Sequence, residues 1–466
     1  MVAFILPANS ASSGYDIDNS VRISGSRFLQ LAHGADGTTK TMTFSWWFKQ
    51  SQITTNRNFF GHSSVDDAIF IRSDDGFSFI MRNAADGIIT TNRKFRDNSA
   101  WYHIVLAIDT TQGTAANRIK LYVNGVQETS FATATYPDQN TDLTGFNTNT
   151  DNQFIGREKG GNYFDGYMAE VYFIDGVAKA PTDFGEVNDN GVWVPIEYSG
   201  SYGTNGYFLE FKQTGTSQNS SGIGADTSGN DNHFAVTNLA AVDVTTDTPT
   251  NNFCTGNPLD VSGVDNPGDV CTFSEGNTKI VQAGSNNVVG WKASTIGIRN
   301  GKWYFELKLP IIDYQVFGVG ASTWDGQDGA ADNQFSVYID NGTETFRRGA
   351  GVAAAALSVT SSNNDIWMFA LDLDSPKLWI GHQGTWLASG DPAAGSNPMS
   401  TQAITDTVFI GGSLYTQNDS QILLNTGNPP YANSSSQADD NGYGDFEYDV
   451  PAGFYSICTK NLAEYG

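Results

Sequence analysis

The sequence predicts an all-β protein with two antiparallel β-sandwich domains of the jelly-roll kind and a loop-rich connecting region between them. The 466 residues include 50 glycines, and 12% of the chain is aromatic, which is typical of short strands joined by tight turns. Apolar and polar residues alternate along many segments, as they do in half-buried strands. A chain of this length also exceeds what one hydrophobic core usually serves, so more than one domain is expected.

Residues 1–187 form the first predicted domain. Its alternating segments predict strands, and one of these runs directly into Asn124-Gly125. This pair is the strongest two-residue hairpin signal because both positions must accept a positive φ. The predicted strands of this domain are 41–48, 68–72, 101–108, 119–123 and 164–174.

Residues 188–270 form the predicted connecting region, and residues 271–466 form the second predicted sandwich. The connecting region is rich in Ser, Asn, Gly and Thr and has one clear strand, 206–211. Its Trp193 and Phe208 are too apolar for a free linker, so we expect it to pack on the sandwiches. The predicted strands of the second sandwich are 302–309, 316–320, 335–339, 366–372, 377–381, 408–411 and 421–425.

Charge and apolar content exclude several kinds of partner. The 25 basic and 50 acidic side chains give a formal charge of −25, and such a surface repels phosphate backbones and anionic lipid headgroups. We therefore expect no nucleic-acid partner.

No apolar stretch approaches the roughly 18 to 20 residues of a membrane span, so no membrane insertion is expected. Residues 1–7 lack the basic start of a secretory signal, and synthesis in a cytoplasm is expected.

Five short sequence motifs in the first domain, and the order in which they occur, resemble those of the laminin-G and pentraxin-like members of the concanavalin A-like superfamily. The resemblance implies a concanavalin A-like sandwich over residues 1–187. It also implies that Trp101 and His103 begin a core strand that turns at Asn124-Gly125, so that these residues are scaffold. The motifs are Phe44-Ser-Trp-Trp-Phe48, Trp101-Tyr-His-Ile-Val105, Leu121-Tyr-Val-Asn-Gly125, Phe154-Ile-Gly156 and Phe164-Asp-Gly-Tyr-Met-Ala-Glu-Val171.

The segment Asp226-Thr-Ser-Gly-Asn-Asp-Asn232 is similar to a turn that often opens domains of this family. Its clustered oxygen side chains make calcium the candidate cofactor, because calcium takes six to eight hard oxygen ligands. The alternative is an Asx-rich turn that bonds its own backbone, and this alternative is favoured, because Asn and Asp do so wherever chains reverse. The candidate calcium ligands are Asp226, Ser228, Asn230 and Asp231.

The second domain resembles a SPRY-type sandwich in the phrases 301–307, 317–320, 367–372 and 378–381. SPRY domains bind peptides or proteins through loops at one edge, and the resemblance places such loops at 322–328 and 383–386. Trp324, Asp325 and Trp386 in these loops are the candidate ligand-binding residues, because exposed indole rings are stacking platforms for sugars or peptides. The alternative for both tryptophans is a partly buried position at the edge of the core.

Catalytic motifs are missing from the sequence, which predicts that the protein is not an enzyme. Concanavalin-fold glycosidases need carboxylates in the pattern Glu-x-Asp-x-x-Glu; the nearest string is Glu447-Tyr-Asp449, and Ala452 stands where the third carboxylate would be. No Gly-x-Ser-x-Gly elbow and no phosphate-binding loop occurs. The five histidines are dispersed and form no metal-spaced pair. The cysteines, Cys254, Cys271 and Cys458, are odd in number and widely spaced, so we expect buried or semi-buried free thiols.

The order of these pieces over nearly the whole chain resembles an architecture of structural proteins from aquatic tailed bacteriophages. The resemblance implies a tail-fibre-like virion protein on the tail or capsid surface, made in the bacterial host cytoplasm. Its partners would be other virion proteins and a host cell-surface glycan or protein, and homo-oligomers, trimers by analogy, are expected. Two alternatives stay open: a head decoration or tail adaptor that contacts only other virion subunits, and a polysaccharide depolymerase.

Overall fold

A computed structural model of the chain divides it into two compact units, Met1–Asn252 and Phe253–Gly466. The described residues are 14–63, 67–81, 87–143, 145–263, 271–282, 288–291, 294–324, 334–340, 343–348, 355–415 and 420–466.

In its described residues the first unit is built from strands and the single-turn 3₁₀ helices Ala115–Asn117, Pro181–Asp183 and Ala241–Asp243. Its strands are β1 (Ser20–Ile23), β2 (Phe28–Ala32), β3 (Thr41–Gln50), β4 (Arg57–His62), β5 (Ala68–Ile71), β6 (Gly76–Met81), β7 (Gly87–Lys94), β8 (Tyr102–Asp109), β9 (Ile119–Val123), β10 (Val126–Gln127), β11 (Phe131–Thr135), β12 (Asn152–Ile155), β13 (Gly166–Asp175), β14 (Gly185–Val187), β15 (Trp193–Pro195), β16 (Tyr207–Leu209), β17 (Ala235–Thr237) and β18 (Val244–Thr245).

Two eight-stranded sheets form the sandwich of the first unit. One has the order β10-β9-β8-β3-β13-β1-β18, with β16 also paired to β13, and the other has the order β11-β7-β6-β5-β4-β12-β2-β17. The central pairs, β3 with β8 and β3 with β13, are antiparallel. Strands β14 and β15 make a separate two-stranded ribbon.

Side chains along β3 point alternately to the two faces of its sheet, and those on the inner face contact the opposite sheet. Phe44, Trp46 and Phe48 point to the inner face, where the rings of Phe44 and Trp46 each lie 5.0 Å from the ring of Phe60 on the opposite sheet. The alternate residues point outward, and Trp47 there stacks on His103 at 4.6 Å. Both faces of β3 are buried because other segments of the unit cover the outer face.

Where the structure describes it, the second unit contains a further set of strands, the 3₁₀ turn Leu387–Ser389 and the α-helix α1 (Thr459–Tyr465). Its strands are β19 (Val261–Gly263), β20 (Cys271–Ser274), β21 (Lys279–Gln282), β22 (Val288–Trp291), β23 (Lys302–Leu309), β24 (Gln315–Ala321), β25 (Gln334–Asp340), β26 (Thr343–Arg348), β27 (Ala355–Ala356), β28 (Asp365–Asp372), β29 (Lys377–His382), β30 (Thr385–Trp386), β31 (Val408–Tyr415), β32 (Gln421–Asn425) and β33 (Tyr455–Ser456).

The second unit is also a two-sheet sandwich. Its sheets have the orders β19-β22-β31-β24-β25-β26-β27 and β20-β21-β32-β23-β28-β29-β30, and β33 pairs in parallel with β23. Phe317 of the first sheet and Trp367 of the second meet in the core, with ring centres 5.6 Å apart. Strand β30, which carries Trp386, lies at the edge of the eight-stranded sheet.

The predicted fold class is confirmed. Within the described residues the chain is nearly all-β, with antiparallel sheets and a single α-helix, α1. The predicted hairpin at Asn124-Gly125 is also confirmed, since β9 and β10 pair across it and the two residues have φ values of 47° and 77°. All three cysteines are buried and none of them is in a disulfide, as predicted.

Part of the predicted connecting region contributes strands to the first sandwich. β16 pairs with β13, β17 with β2 and β18 with β1. β16 lies within the strand predicted at 206–211. β17 and β18 are only three and two residues long, which is why alternation of side chains does not reveal them. Across the described part of the chain, no helix combines the length and the apolar character that a membrane crossing requires.

Candidate functional site

An open groove of about 480 Å³ lies beside Trp386 in the second unit. We call it the Trp386 groove. Two segments that are far apart in the sequence form its walls, one following β30 and the other preceding β33. Its lining residues are Trp386, Ser389, Gly390, Asp391, Pro392, Ala393, Asp449, Val450 and Pro451.

Trp386 is held at the edge of its sheet by the short hairpin of β29 and β30, in which it pairs with Gly381. The turn before it uses Gly384 at a φ of +76°. The indole is half-buried, and the ring of Tyr304 meets it edge-on with centres 6.4 Å apart. The indole is therefore supported from the interior side while it lines the groove.

The first wall has a strained but well-anchored backbone. Ala388 and Ser389 have φ values of 54° and 55°, a left-handed conformation that costs a non-glycine residue about 1–2 kcal/mol. The Asn397 side-chain amide donates to the Ser389 carbonyl at 2.9 Å. Asp391 and Ser396 exchange backbone hydrogen bonds of 3.0 and 2.9 Å. Strain that is held in place by surrounding bonds is often found at binding sites.

Glu306 on β23 positions the second wall. Its buried carboxylate accepts hydrogen bonds from the backbone N–H groups of Glu447 and Tyr448, both at 3.0 Å. The Tyr304 hydroxyl also donates to it at 2.9 Å, and the Asn425 side chain at 3.2 Å. Burial raises the pKa of Glu306, while these hydrogen bonds act in the opposite direction. Glu306 thereby holds the residues that lead directly into Asp449.

The groove combines one aromatic face with oxygen side chains. Asp391 and Asp449 are exposed carboxylates, and Ser389 adds a hydroxyl. Val450 and Pro451 add half-buried apolar surface, and the backbone of Pro451 is stiff because proline fixes φ. A half-buried aromatic ring beside a few placed polar groups is the usual lining of a small-molecule site. The volume also lies within the range of about 300–1,000 Å³ that such sites have.

Trp324 has a different environment from Trp386. It is only 1% exposed, because the loop after β24 turns back, with the Trp324 N–H donating to the Ala321 carbonyl at 2.9 Å. Its ring packs so closely over Gly320 that a Cβ there would lie 2.3 Å away. Trp324 is thus a core residue and does not line the groove. Asp325, the third candidate, lies outside the described residues.

The Asp226 segment forms a tight turn whose main acceptor is already engaged. Asp226 is 6% exposed. One carboxylate oxygen accepts from the backbone N–H groups of Phe208 and Ser228, each at 2.9 Å. The other accepts from the Ser228 hydroxyl and the Asn232 N–H, each at 2.9 Å.

The remaining candidate calcium ligands are arranged differently. The Asn230 side-chain amide donates to the backbone carbonyls of Gly203 and Gly206 at 2.6 and 2.9 Å, and the Asp231 side chain is 90% exposed. Among the described residues, no three His, Cys, Asp or Glu side chains are grouped for a metal ion. Calcium binding here remains a prediction, and the hydrogen bonds of Asp226 are those of the Asx-rich turn.

His103 lies in an aromatic layer of the first unit. The Trp193 indole N–H donates to its Nδ1 at 3.0 Å, and its Nε2 lies 2.9 Å from the Ser45 hydroxyl. Complete burial lowers the pKa of His103 to about 3. The ring is therefore neutral at ordinary pH and both nitrogens are engaged, as expected for the scaffold role predicted from the sequence.

Residues 24–181 match the family model of the concanavalin A-like lectin/glucanases superfamily. The first unit contains a concanavalin A-like domain. The match covers about a third of the chain and lies within the range predicted for this domain from the sequence. No curated protein matches the chain.

Several solved structures resemble parts of the chain. A candidate carbohydrate-binding protein from Bacteroides ovatus is 16% identical, with a TM-score of 0.37 over 50% of this chain, and the chain spans 60% of that protein's length. A pentraxin from Limulus polyphemus is 15% identical, with a TM-score of 0.27 over 36% of this chain and 80% of its own. The SPRY domain of human HERC1 is 10% identical, with a TM-score of 0.25 over 36% of this chain and 96% of its own.

Sequence reasoning identified part of the groove. It singled out Trp386 for its place beside turn residues, and Asp449 as part of the nearest glycosidase-like string. It missed Asp391, Pro392 and Pro451. Their turn-forming residue types are common throughout the chain, so no local signal distinguishes them from other loop residues.

Proposed function

We propose that this chain is a non-enzymatic, tail-fibre-like bacteriophage virion protein that binds a host surface glycan through the Trp386 groove. The observation that carries the proposal is the half-buried Trp386 indole set between two walls that bear exposed carboxylates. The superfamily matched by residues 24–181 includes lectins and glucanases, which supports a glycan-related role for the chain. That match lies in the first unit, and the groove lies in the second.

A sugar ring suits the chemistry of the groove. The apolar face of a pyranose packs on an indole ring, while its hydroxyls donate to carboxylates such as those of Asp391 and Asp449. The walls are anchored by the hydrogen bonds of Asn397 and Glu306, so little ordering is needed when a ligand binds. A net charge of −25 favours neutral or cationic glycans over strongly anionic ones.

The exposure of Asp391 and Asp449 favours glycan binding over glycoside hydrolysis. A glycosidase needs one carboxylic acid that a desolvated site keeps protonated, opposite a second carboxylate. Asp391 and Asp449 are both exposed residues. The buried carboxylate behind the groove, Glu306, is engaged by four donors, so we assign it a positioning role.

The virion assignment rests on the ordered phrases that resemble tailed-phage structural proteins. In that setting the second unit would present the groove to the host surface, and the first unit would supply a rigid sandwich that contacts other virion proteins. Assembly as a homo-oligomer would multiply weak single-site binding into useful avidity.

A glycan array probed with the full chain tests the proposal. We expect binding to one class of bacterial surface glycan, and Trp386→Ala should weaken it about tenfold or more, the loss typical of an aromatic anchor. Trp386→Phe should retain part of the binding because it keeps an aromatic face. Tyr163→Ala, which truncates a half-buried aromatic residue in the first unit, is the control and should bind normally. Binding that is unchanged in Trp386→Ala would refute the role of the groove.

A further inference from the structure

Lys49, Asp247 and Asn252 form a buried cluster in the first unit, at 2%, 0% and 3% exposure. The Lys49 amine donates to a carboxylate oxygen of Asp247 and, at 2.7 Å, to the side-chain oxygen of Asn252. An ammonium and a carboxylate without access to water are expensive to bury. A buried lysine becomes a nucleophile once a neighbouring base takes its proton.

Aromatic rings enclose this cluster. The amine lies 4.7 Å from the centre of the Tyr167 ring and 5.9 Å from that of Trp101, and both residues are buried. The Trp101 indole N–H donates to the second carboxylate oxygen of Asp247 at 3.2 Å. The carboxylate is thereby fixed with one oxygen towards the lysine, in a site that excludes water.

Asn252 is oriented with its carbonyl towards the lysine. Its side-chain nitrogen donates to the backbone carbonyl of Ser99 at 2.6 Å, which leaves its oxygen directed at the Lys49 amine. The Lys49 amine is therefore held in contact with both the carboxylate of Asp247 and the carboxamide of Asn252, and these two residues lie on the single segment 247–252. Proximity of this kind replaces a collision between molecules and can lower a barrier by many orders of magnitude.

We propose that Lys49 and Asn252 become joined by an intramolecular isopeptide bond, with Asp247 as the general base and acid. Asp247 takes a proton from the lysine ammonium, and the free amine attacks Cγ of Asn252. The bond between Lys49 Nζ and Asn252 Cγ forms, and the bond between Cγ and Nδ2 breaks. Asp247 returns its proton to the departing nitrogen, which also takes the proton lost by the new amide and leaves as ammonium. No oxidant or reductant takes part.

The bond would link two distant points of the chain. Lys49 lies on β3, a central strand of its sheet, and is 203 residues from Asn252. Asn252 is also the last residue of the first unit. A pulling force applied to the chain after Asn252 would be transmitted through the covalent link directly to β3. The residues between Lys49 and Asn252 would not carry that force. This inference does not depend on glycan binding.

The mass of the full chain, measured after denaturation, tests the inference. The purified protein should be lighter than its sequence by one ammonia. Trypsin should fail to cut after Lys49, and tandem mass spectrometry should find a branched peptide that joins Lys49 to Asn252. A full-mass chain that trypsin cuts after Lys49 would overturn the proposal. Loss of one water with the branch at Asp247 would overturn the assignment of Asn252 as the acceptor.

Matched variants show whether the loss of ammonia comes from this bond or from another site in the chain. Lys49→Met and Asn252→Ala should both have full mass, and Asp247→Ala should have full mass in most of the protein. Lys179→Met is the control, because Lys179 also pairs with an aspartate, Asp183 at 3.4 Å, beside a tyrosine ring but is partly exposed. This control should still lose one ammonia. Because the wild-type mass is read on unfolded protein, the result does not depend on whether any variant folds.

Discussion

Glu170 combines burial, an unusual backbone conformation and a hydrogen-bonded carboxylate. It lies at the bulge where the register between β13 and β3 shifts, with a φ of 49°. Its carboxylate accepts from the Tyr15 hydroxyl, 3.2 Å from each oxygen, and from the Tyr172 hydroxyl. Burial raises the pKa of Glu170 to about 8. The folded protein therefore favours the protonated acid near neutral pH.

This raised pKa predicts a pH dependence of stability. The protonated acid is favoured in the folded state, so its contribution is fully present below the ordinary pKa of 4.5 and is lost as the pH rises towards about 8. The loss should be on the order of a few kcal/mol. Glu170→Gln cannot ionise and should flatten the profile of the free energy of unfolding between these pH values, measured by urea denaturation.

The exposed Glu186 on β14 is the control for this measurement. Glu186→Gln should keep the wild-type pH profile. If Glu170→Gln also kept it, burial of Glu170 would not be the source of the dependence.

The two candidate tryptophans show what sequence can and cannot decide at the scale of a residue. Trp324 and Trp386 both stand beside turn residues, and each had an exposed and a buried interpretation. The structure buries Trp324 over Gly320 and leaves Trp386 lining the groove. The outcome depends on which way each loop folds back, and that direction is set by tertiary contacts rather than by neighbours in the sequence.

At the scale of an element, the hairpin of β9 and β10 was predictable because its signal is local. Asn124 and Gly125 both need a positive φ, and the sequence supplies the two residue types that accept it most easily. Gly125 has a second constraint that no local pattern contains. A Cβ at this position would lie 2.4 Å from the Trp193 ring.

This double constraint predicts a large effect of Gly125→Ala. The positive φ alone should cost about 1–2 kcal/mol, and the clash adds to it because the Trp193 ring is fixed by its hydrogen bond to His103. Gly229→Ala is the matched control, since Gly229 has a φ of +91° with no atom near its Cβ position. The free energy of unfolding should fall clearly more for Gly125→Ala than for Gly229→Ala. Equal losses would show that the clash with Trp193 is relieved at no cost.

Short elements escaped prediction for a physical reason. The strands β17 and β18 are too short to show a period of two, and their places in the first sandwich are fixed by long-range pairing. The seven-residue helix α1 is shorter than a helix that is stable alone. Tertiary packing, rather than local propensity, determines such elements.

At the scale of the whole molecule, each sandwich has its own main core among the described residues. One core is made entirely of residues from the first unit and the other entirely of residues from the second. Chain length predicts more than one core, and composition predicts strands. The groove could not be predicted in the same way, because it forms only when the loop after β30 meets the segment before β33. Long-range assembly of this kind leaves no periodic signal.

The central claim is that the groove binds a glycan and leaves it intact. The most direct measurement follows one bacterial surface polysaccharide, chosen as retained by the full chain, and records both its binding and the release of reducing ends over time. We expect the polysaccharide to be recovered from the complex at its original length. A steady release of reducing ends that disappears in Asp391→Asn or Asp449→Asn would show that the groove cleaves its ligand and would contradict this account.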